Sequence, residues 1–405
     1  MAILVPAAKA ATGKERSFAI LLASAFLLNI GNKIYELVLP LMMYDITHSS
    51  VAMASMRTAE LLPNLLFGML IGVVVDRVNK KRWVLLMIAV QACLLLSLVG
   101  LAQAGIPFLP VYYLIGFLLM TFNYGYFNAQ ISLTKLCVPS DRLTAANAKL
   151  TFAETFVGIM GPAVSSLVLL LAHIHDGLLI TAGLYVISLF LMRTLKVQEP
   201  VPLAPHGSFI ADLREGWTMF RANRMLVMMT VFVVLLNCTM TVVNTTMIFY
   251  AKDELHLSSS ALALTLSSAG AGGLLGSICA KRLRDSMGLG KLFGASFIGN
   301  GLSFLGLYAS NGPLLMIPAL ILGGFATAVY TVSVYTFRLE QTPAPLMGRI
   351  GGITGTLFRL GMPVTVYAAG WVMMWWGSSV IFLTAAILNA LFFLGYWKTA
   401  LWRIR

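Results

Sequence analysis

The sequence predicts an all-α integral membrane protein of twelve transmembrane helices in two six-helix repeats, with both termini cytoplasmic. Three observations predict it. Of 405 residues, 59% are hydrophobic and 11% charged, with a mean hydropathy of +0.87, which leaves too few charges to clothe a soluble surface. Apolar windows of about 20 residues, the length that crosses roughly 30 Å of hydrocarbon as helix, recur twelve times. Lysine and arginine fall into alternate breaks between those windows, as they do where cytoplasmic loops hold the positive charge.

The expected spans are 18–44, 51–75, 83–103, 108–134, 149–172, 177–195, 225–250, 259–280, 291–310, 313–337, 348–374 and 379–400. Ahead of the first, residues 1–17 form a cytoplasmic tail with Lys9, Lys14 and Arg16. They lack the short apolar core and small-residue cleavage site of a removed signal peptide, so the first helix is expected to stay in the membrane. With the N-terminus inside, 24 of the 28 bases face the cytoplasm. They include Arg77, Lys80, Lys81 and Arg82 after the second span, Lys281 to Arg284 after the eighth, and Lys398, Arg403 and Arg405 at the end. Lys252 is left outside, and Lys33, Arg57 and Arg359 fall within spans.

The net charge of +13 punctuates apolar runs and forms no continuous basic face, so membrane topology explains it and nucleic-acid binding does not. Cys93, Cys137, Cys238 and Cys279 lie in or at the ends of apolar segments with no CxxC and no neighbouring histidine. No metal site is expected. His48, His173, His175 and His256 lie in or beside external loops and His206 in the linker. No clustered carboxylate pair, GxSxG or Walker loop is present, which argues against a membrane-embedded enzyme.

The longest polar interval, 196–224, divides the chain near its middle. Its proline-rich start predicts a linker, and "FIADLREGWTMF" an amphipathic helix on the inner membrane surface. The expected domains are thus a six-helix bundle at 18–195, this cytoplasmic linker at 196–224, a second bundle at 225–400 and a tail at 401–405. The halves resemble each other. "NIGNKIYELVLPLMMYD" from Asn29 sets against "NCTMTVVNTTMIFYAKD" from Asn237, matching Asn29 with Asn237, Glu36 with Asn244 and Asp45 with Asp253. "GMLIGVVVDR" from Gly68 sets against "GGLLGSICAK" from Gly272, matching both glycines and the final base. Two matches at nearly one offset argue for duplication, as in repeat-built transporters, and against a channel.

Twelve helices in two repeats, a basic central linker and a Gly-x-x-x-Gly-x-x-x-Asp-Arg ending to the second span resemble the major facilitator superfamily. "LPLMMYDITHSSVAMASMRTAELLPNLLFGMLIGVVVDRVNKKRW", "VPSDRLTAANAKL" running into "GIMGPAV", and "FIADLREGWTMF" resemble its third drug:proton antiporter branch, which includes macrolide-efflux-like pumps and siderophore exporters. The resemblance implies an exporter of a small organic molecule working by alternating access in exchange for protons, with no cofactor beyond the proton gradient. It implies a monomer in a bacterial-type cytoplasmic membrane. A uniporter or importer of a small metabolite on the same fold is the alternative.

The resemblance also assigns gating residues. Gly68 and Gly72 are expected to let a neighbouring helix approach closely. Asp76, beside Arg77, is expected to latch onto the start of the eleventh span near Gly348 and Arg349, at a positive helix end. Its counterpart in the repeat is Ala280, so the latch would be one-sided. Gly158, Gly161 and Pro162 match the fifth-helix antiporter signature, shortened here, and Pro363 puts a second bend in the eleventh span.

Charges inside a membrane are costly and face a partner or a cavity. Lys33 and Glu36 share a face of the first span, as Arg57 and Glu60 share one of the second, all at a similar depth. They form either an ionic clasp or a substrate and proton site. Asn123, Tyr124 and Asn128 form a polar stripe on the fourth span, which lacks the arginine that related antiporters often carry there. Proton transfer is thereby left to Glu36, Glu60 or Glu154. Asn29, Asn237, Asn244 and Arg359 complete the candidate residues of a central cavity lined by spans 1, 4, 7 and 10.

Overall fold

The computed structural model describes residues 4–139, 142–171, 173–197, 199, 209–342 and 347–404, and among these every regular element is helical. The first half holds α1 (Leu4–Thr47), α2 (Ser50–Arg77), α3 (Lys80–Gln103), α4 (Leu109–Cys137), α5 (Leu143–Ser166) and α6 (Asp176–Thr194). A short helix, α7 (Phe209–Ala222), follows. The second half holds α8 (Arg224–Phe249), α9 (Ser259–Met287), α10 (Leu289–Tyr308), α11 (Pro313–Gln341), α12 (Met347–Leu357), α13 (Met362–Trp376) and α14 (Ser378–Trp397).

Local chemistry sets the helix ends. Ser49, Asn79, Asn223 and Ser258 each accept a hydrogen bond from a backbone N–H three residues on, capping α2, α3, α8 and α9. Gly288 and Gly377 close α9 and α13 at φ of 81° and 78°, a left-handed backbone that glycine adopts without a side-chain clash. Prolines open α4, α11 and α13, where the missing N–H has no partner to lose.

By length and composition, eight helical segments can cross a membrane: 15–47 of α1, α3, α6, α8 extended to Glu254, α9, α11, 350–376 and α14. The pair 149–161 and 163–170, bent by 49°, makes nine if it is one span. The chain is therefore a multi-pass membrane protein. Helices also stand at the other expected spans, α2, α4 and α10. Polar residues dilute them, such as Arg57, Glu60 and Asn64 in α2.

Two differences from the sequence expectation concern continuity. The first helix begins at Leu4, ahead of its membrane-crossing part at 15–47, because "AAKAATGKERS" holds no proline to stop a helix. The eleventh span crosses as one segment, 350–376, with its helix interrupted by a turn at 358–361. Pro363, expected to bend a continuous helix, sits in the first turn after that interruption.

Within the first half α1 packs on α5 and α6, α3 on α4 and α6, and α2 on α4. In the second, α11 packs on α9 and α10, and α14 on α8 and α10. The halves meet through α2 with α13 and through α5 with α9. These are equivalent pairings under the repeat that the sequence suggests, which sets α9 against α2 and α12–α13 against α5. α7 packs on α8 and on α12. Glu199 accepts from the N–H groups of Lys80 and Lys81, both at 2.7 Å, an anion placed at the positive end of α3.

Glycine usage is asymmetric between the repeats. A Cβ at Gly272 would stand 1.9 Å from the Ile321 carbonyl oxygen and one at Gly276 2.6 Å from that of Phe325, so α9 and α11 touch backbone to backbone. Gly68 is different. A Cβ there would meet Thr356 Oγ1 at 3.4 Å, an ordinary contact, so the expected close approach at Gly68 is not made. The side chains of Gly72, Asp76, Arg77 and Pro162, and of Gly348 and Arg349 in the proposed latch, lie outside the described residues.

Candidate functional site

A cavity of about 300 Å³ lies between the halves, at the lower end of the range for small-molecule sites. From α1 and α2 it is lined by Lys33, Glu36, Leu37, Pro40, Met53 and Arg57. Gly158, Ile159, Gly161 and Ser165 of α5 contribute, and Asn244 and Met247 of α8, Leu266 of α9, Asn300, Ser303 and Phe304 of α10, and Leu320 and Thr327 of α11 close the other side. Glu36 and Asn244, matched by the repeat, therefore face one cavity. No lining residue comes from α4, which the sequence had expected to contribute.

The four intramembrane charges of α1 and α2 form one chain. Lys33 Nζ donates to Glu36 Oε2 at 2.8 Å, and Arg57 Nη2 lies 3.9 Å from the same oxygen. Arg57 Nη1 donates to Glu60 Oε2 at 2.9 Å. Exposure divides them: Glu60 is fully buried, whereas Lys33, Glu36 and Arg57 expose 34, 21 and 20% of their side chains. Glu60 Oε1 has no hydrogen-bond partner among the described residues, and neither has Asn64 Oδ1 one turn along α2.

Two neighbours hold Lys33 in place. Ser165 donates to the Lys33 carbonyl at 2.6 Å, and a Cβ at Gly161 would stand 2.8 Å from Lys33 Cδ. Gly161 thus makes room for the lysine stem. At Gly158 nothing stands within 4 Å of where a Cβ would point, and the same holds at Gly351, Gly352 and Gly355 of α12.

The turn at 358–361 is anchored from α8 and α11. Asn237 Nδ2 donates to the Phe358 carbonyl at 3.0 Å, and the Tyr330 hydroxyl donates to Asn237 Oδ1 at 2.7 Å. Asn237 therefore supports the helix break and does not line the cavity. Arg359, exposed at this turn, donates through Nη1 to the Tyr124 hydroxyl and lies over the Tyr124 ring at 5.4 Å. Asn237 lies seven residues before Asn244 on α8, so the turn it anchors is displaced by about 10 Å along that helix, toward the base-rich end of the molecule.

The other expected polar residues stand apart from the cavity lining. Asn123 accepts from Asn32 at 3.1 Å, and Asn32 accepts in turn from Tyr185, so Asn123 knits α4, α1 and α6 together. Asn128 donates to the Tyr124 carbonyl of its own helix. Asn29 is partly buried outside the cavity lining. Glu154 and Arg359 form no ion pair among the described residues.

Further contacts across the halves cluster at the end with few charges. The Tyr44 hydroxyl donates to Asp253 at 2.8 Å, Ser50 to the Gly370 carbonyl at 2.9 Å, and Thr58 to the Pro363 carbonyl at 3.3 Å. Ser166 and Ser267 share a hydrogen bond of 2.7 Å. Cβ atoms at Gly370 and Gly270 would stand 2.6 and 2.9 Å from those of Ala54 and Ala163, so the helices are in close contact there. None of these partners was predictable from the sequence beyond the Asp45 and Asp253 match, which marked Asp253 as a repeat position and not as a contact.

Known proteins bear out the family resemblance. A family model for the Major Facilitator Superfamily matches residues 21–288 and 232–405. Macrolide efflux protein A of Enterococcus faecalis is 24% identical over 326 residues, covering 78% of this chain and 99% of its own. Macrolide efflux protein A of Streptococcus pyogenes is 23% identical over 329 residues, covering 78 and 80%. Among solved structures, the nucleoside transporter NupG superposes with a TM-score of 0.74 at 16% identity, over 95% of this chain and 99% of that one. A bacterial homologue of the iron transporter ferroportin, in an inward-facing state, gives 0.71 at 14% identity, over 95 and 99%. At such identities the likeness is one of fold.

Proposed function

Because the chain belongs to the Major Facilitator Superfamily, and is thus a transporter and not an enzyme, we propose that it exports a small organic molecule by alternating access. Twelve spans, both termini inside, a bacterial-type cytoplasmic membrane and proton exchange complete the reading. The observation that carries it is the cavity between the halves, with four hydrogen bonds joining them at one end, while toward the other the exposed Arg359 reaches Tyr124 and open space faces Gly158, Gly351, Gly352 and Gly355. With the base-rich end inside, the joined end is the outer one, and the conformation faces inward. The halves would rock about the cavity, parting α2 from α13 and α5 from α9 outside while α12 closes on α2 inside.

The direction of export is supported by the macrolide efflux relatives. Siderophores remain a second cargo class consistent with the branch that the sequence resembles. Energised everted vesicles test the reading. Labelled macrolide, siderophore and smaller organic compounds are offered in turn, and uptake of at least one, abolished by a protonophore, is expected. No uptake of any compound overturns export, and uptake that survives the protonophore overturns proton exchange.

A further inference from the structure

We infer that the cargo is an amphipathic organic anion, whose acidic group takes Lys33 and Arg57 and whose apolar body lies along the second-half wall. The inference rests on the reading of the cavity as a transport site, and not on proton exchange.

The charges that reach the cavity are unequal. Glu60 is fully buried behind Arg57 and accepts from that guanidinium, so its charge does not face a guest. Among the described lining residues, Glu36 is the one carboxylate, against Lys33 and Arg57. Hydrogen-bonding capacity is more lopsided. An ammonium carries three donors and a guanidinium five. Lys33 spends one on Glu36 and Arg57 one on Glu60, while the Lys33 and Arg57 contacts to Glu36 converge on its single oxygen Oε2. The first-half wall is thus rich in charged donors. Arg359 adds a third cation toward the base-rich end, with no carboxylate in ion-pair contact among the described residues and its side-chain hydrogen bond made to the neutral Tyr124.

The opposite wall is uncharged, and its exposed polar group is the neutral amide of Asn244. The hydroxyls of Thr245 and Ser303 and the amide of Asn300 donate to backbone carbonyls of Thr241, Ala319 and Ser296. Met247, Phe304 and Leu320 lie among them. A guest with a cationic head would meet two fixed cations and a single acid already engaged by both. A guest with a carboxylate or similar oxyanion meets donors that are held ready, Lys33 by Gly161 and Ser165 and Arg57 by Glu60, so little side-chain freedom is lost on binding.

Three compounds with one naphthyl body test this: naphthylacetic acid, its primary amide and naphthylethylamine, bound to the purified full-length protein and measured by equilibrium dialysis. The acid is expected to bind at least about tenfold more tightly than the amide, the worth of one charge-assisted contact, and the amine most weakly. Lys33→Met should bring the acid-to-amide ratio close to one, and Lys33→Arg should keep it. Tightest binding by the amine, an unchanged ratio in Lys33→Met, or no binding of any of the three overturns the class. Counterflow in proteoliposomes separates the two readings. Movement of the amine without the acid leaves transport standing and removes the anion; the predicted binding ratio without counterflow does the reverse.

Discussion

Lys33 of α1 lies against the bare backbone of Gly161 in α5, with its Cδ 2.8 Å from where an alanine methyl would be. The glycine of the fifth-helix signature is thus a seat for a cation as well as a point of bending. Its removal should act through the lysine. Gly161→Ala pushes the stem aside at Cγ and Cδ and is expected to lower transport about tenfold with normal expression, on the scale of an overpacking cost of 1–3 kcal/mol. Vesicle transport checks it, and unchanged rates would show that Lys33 is free to move.

Glu60 and Glu36 should separate in a stability assay. Glu60→Gln puts a neutral amide at the fully buried position that pairs with the one-fifth exposed Arg57 guanidinium, and loss of a charge-assisted hydrogen bond there costs about 1.5–3 kcal/mol. Glu36 is about one fifth exposed to the cavity, so Glu36→Gln is expected to cost roughly 1 kcal/mol or less. Thermal unfolding in detergent measures both, and equal losses would contradict the division between a buried clasp and a cavity acid.

If Glu36 carries the exchanged proton, Glu36→Gln should also remove the dependence of export on the pH difference across the membrane. Export that keeps its pH dependence in this variant moves the proton to Glu60 or Glu154.

Gly370→Leu should hold the outer end apart. Its side chain would collide with Ala54 and with the backbone of Val51 and Ser50, and none of these is the mobile tip of a long chain. In a background without Cys93, Cys137, Cys238 and Cys279, Asn244→Cys is expected to react with an impermeant maleimide added outside far faster when Gly370→Leu is present. Equal labelling would show that α13 and α2 do not guard that entrance.

Asn237→Ala should loosen the break in the eleventh span. It removes the donor to the Phe358 carbonyl and strands the Tyr330 hydroxyl, at about 1–3 kcal/mol for buried groups left unpaired. Faster hydrogen exchange confined to 354–363 is the expected result, and protection equal to that of the unaltered protein would assign the turn to other contacts.

Helix placement was legible in the sequence because hydropathy is a local property, and Asn29 against Asn237 and Gly68 against Gly272 suggested a repeat. The break at 358–361 was displaced to Pro363 because proline is the visible local breaker. What holds the turn is Asn237, 121 residues away, and no local pattern contains that partner. The cavity charges were legible as intramembrane ions, but their ranking was not: burial of Glu60 beside exposed Lys33, Glu36 and Arg57 depends on how α2 meets its neighbours. Asn300, Ser303 and Phe304 went unnoticed since one asparagine, serine or phenylalanine in an apolar helix carries no signal of which way it faces. Asn123 was expected in the cavity for the same reason, and its partner Asn32 lies on another helix.

The hydrogen bonds that join the halves at the sparsely charged end, Tyr44 to Asp253, Ser50 to Gly370, Thr58 to Pro363 and Ser166 to Ser267, set an energy scale. At about 0.5–1.5 kcal/mol each they amount to roughly 2–6 kcal/mol. One elementary charge falling through 100 mV releases about 2.3 kcal/mol. The closure is thus commensurate with one or two ions crossing an energised membrane: firm enough to hold against thermal agitation, and weak enough for a single transport cycle to undo.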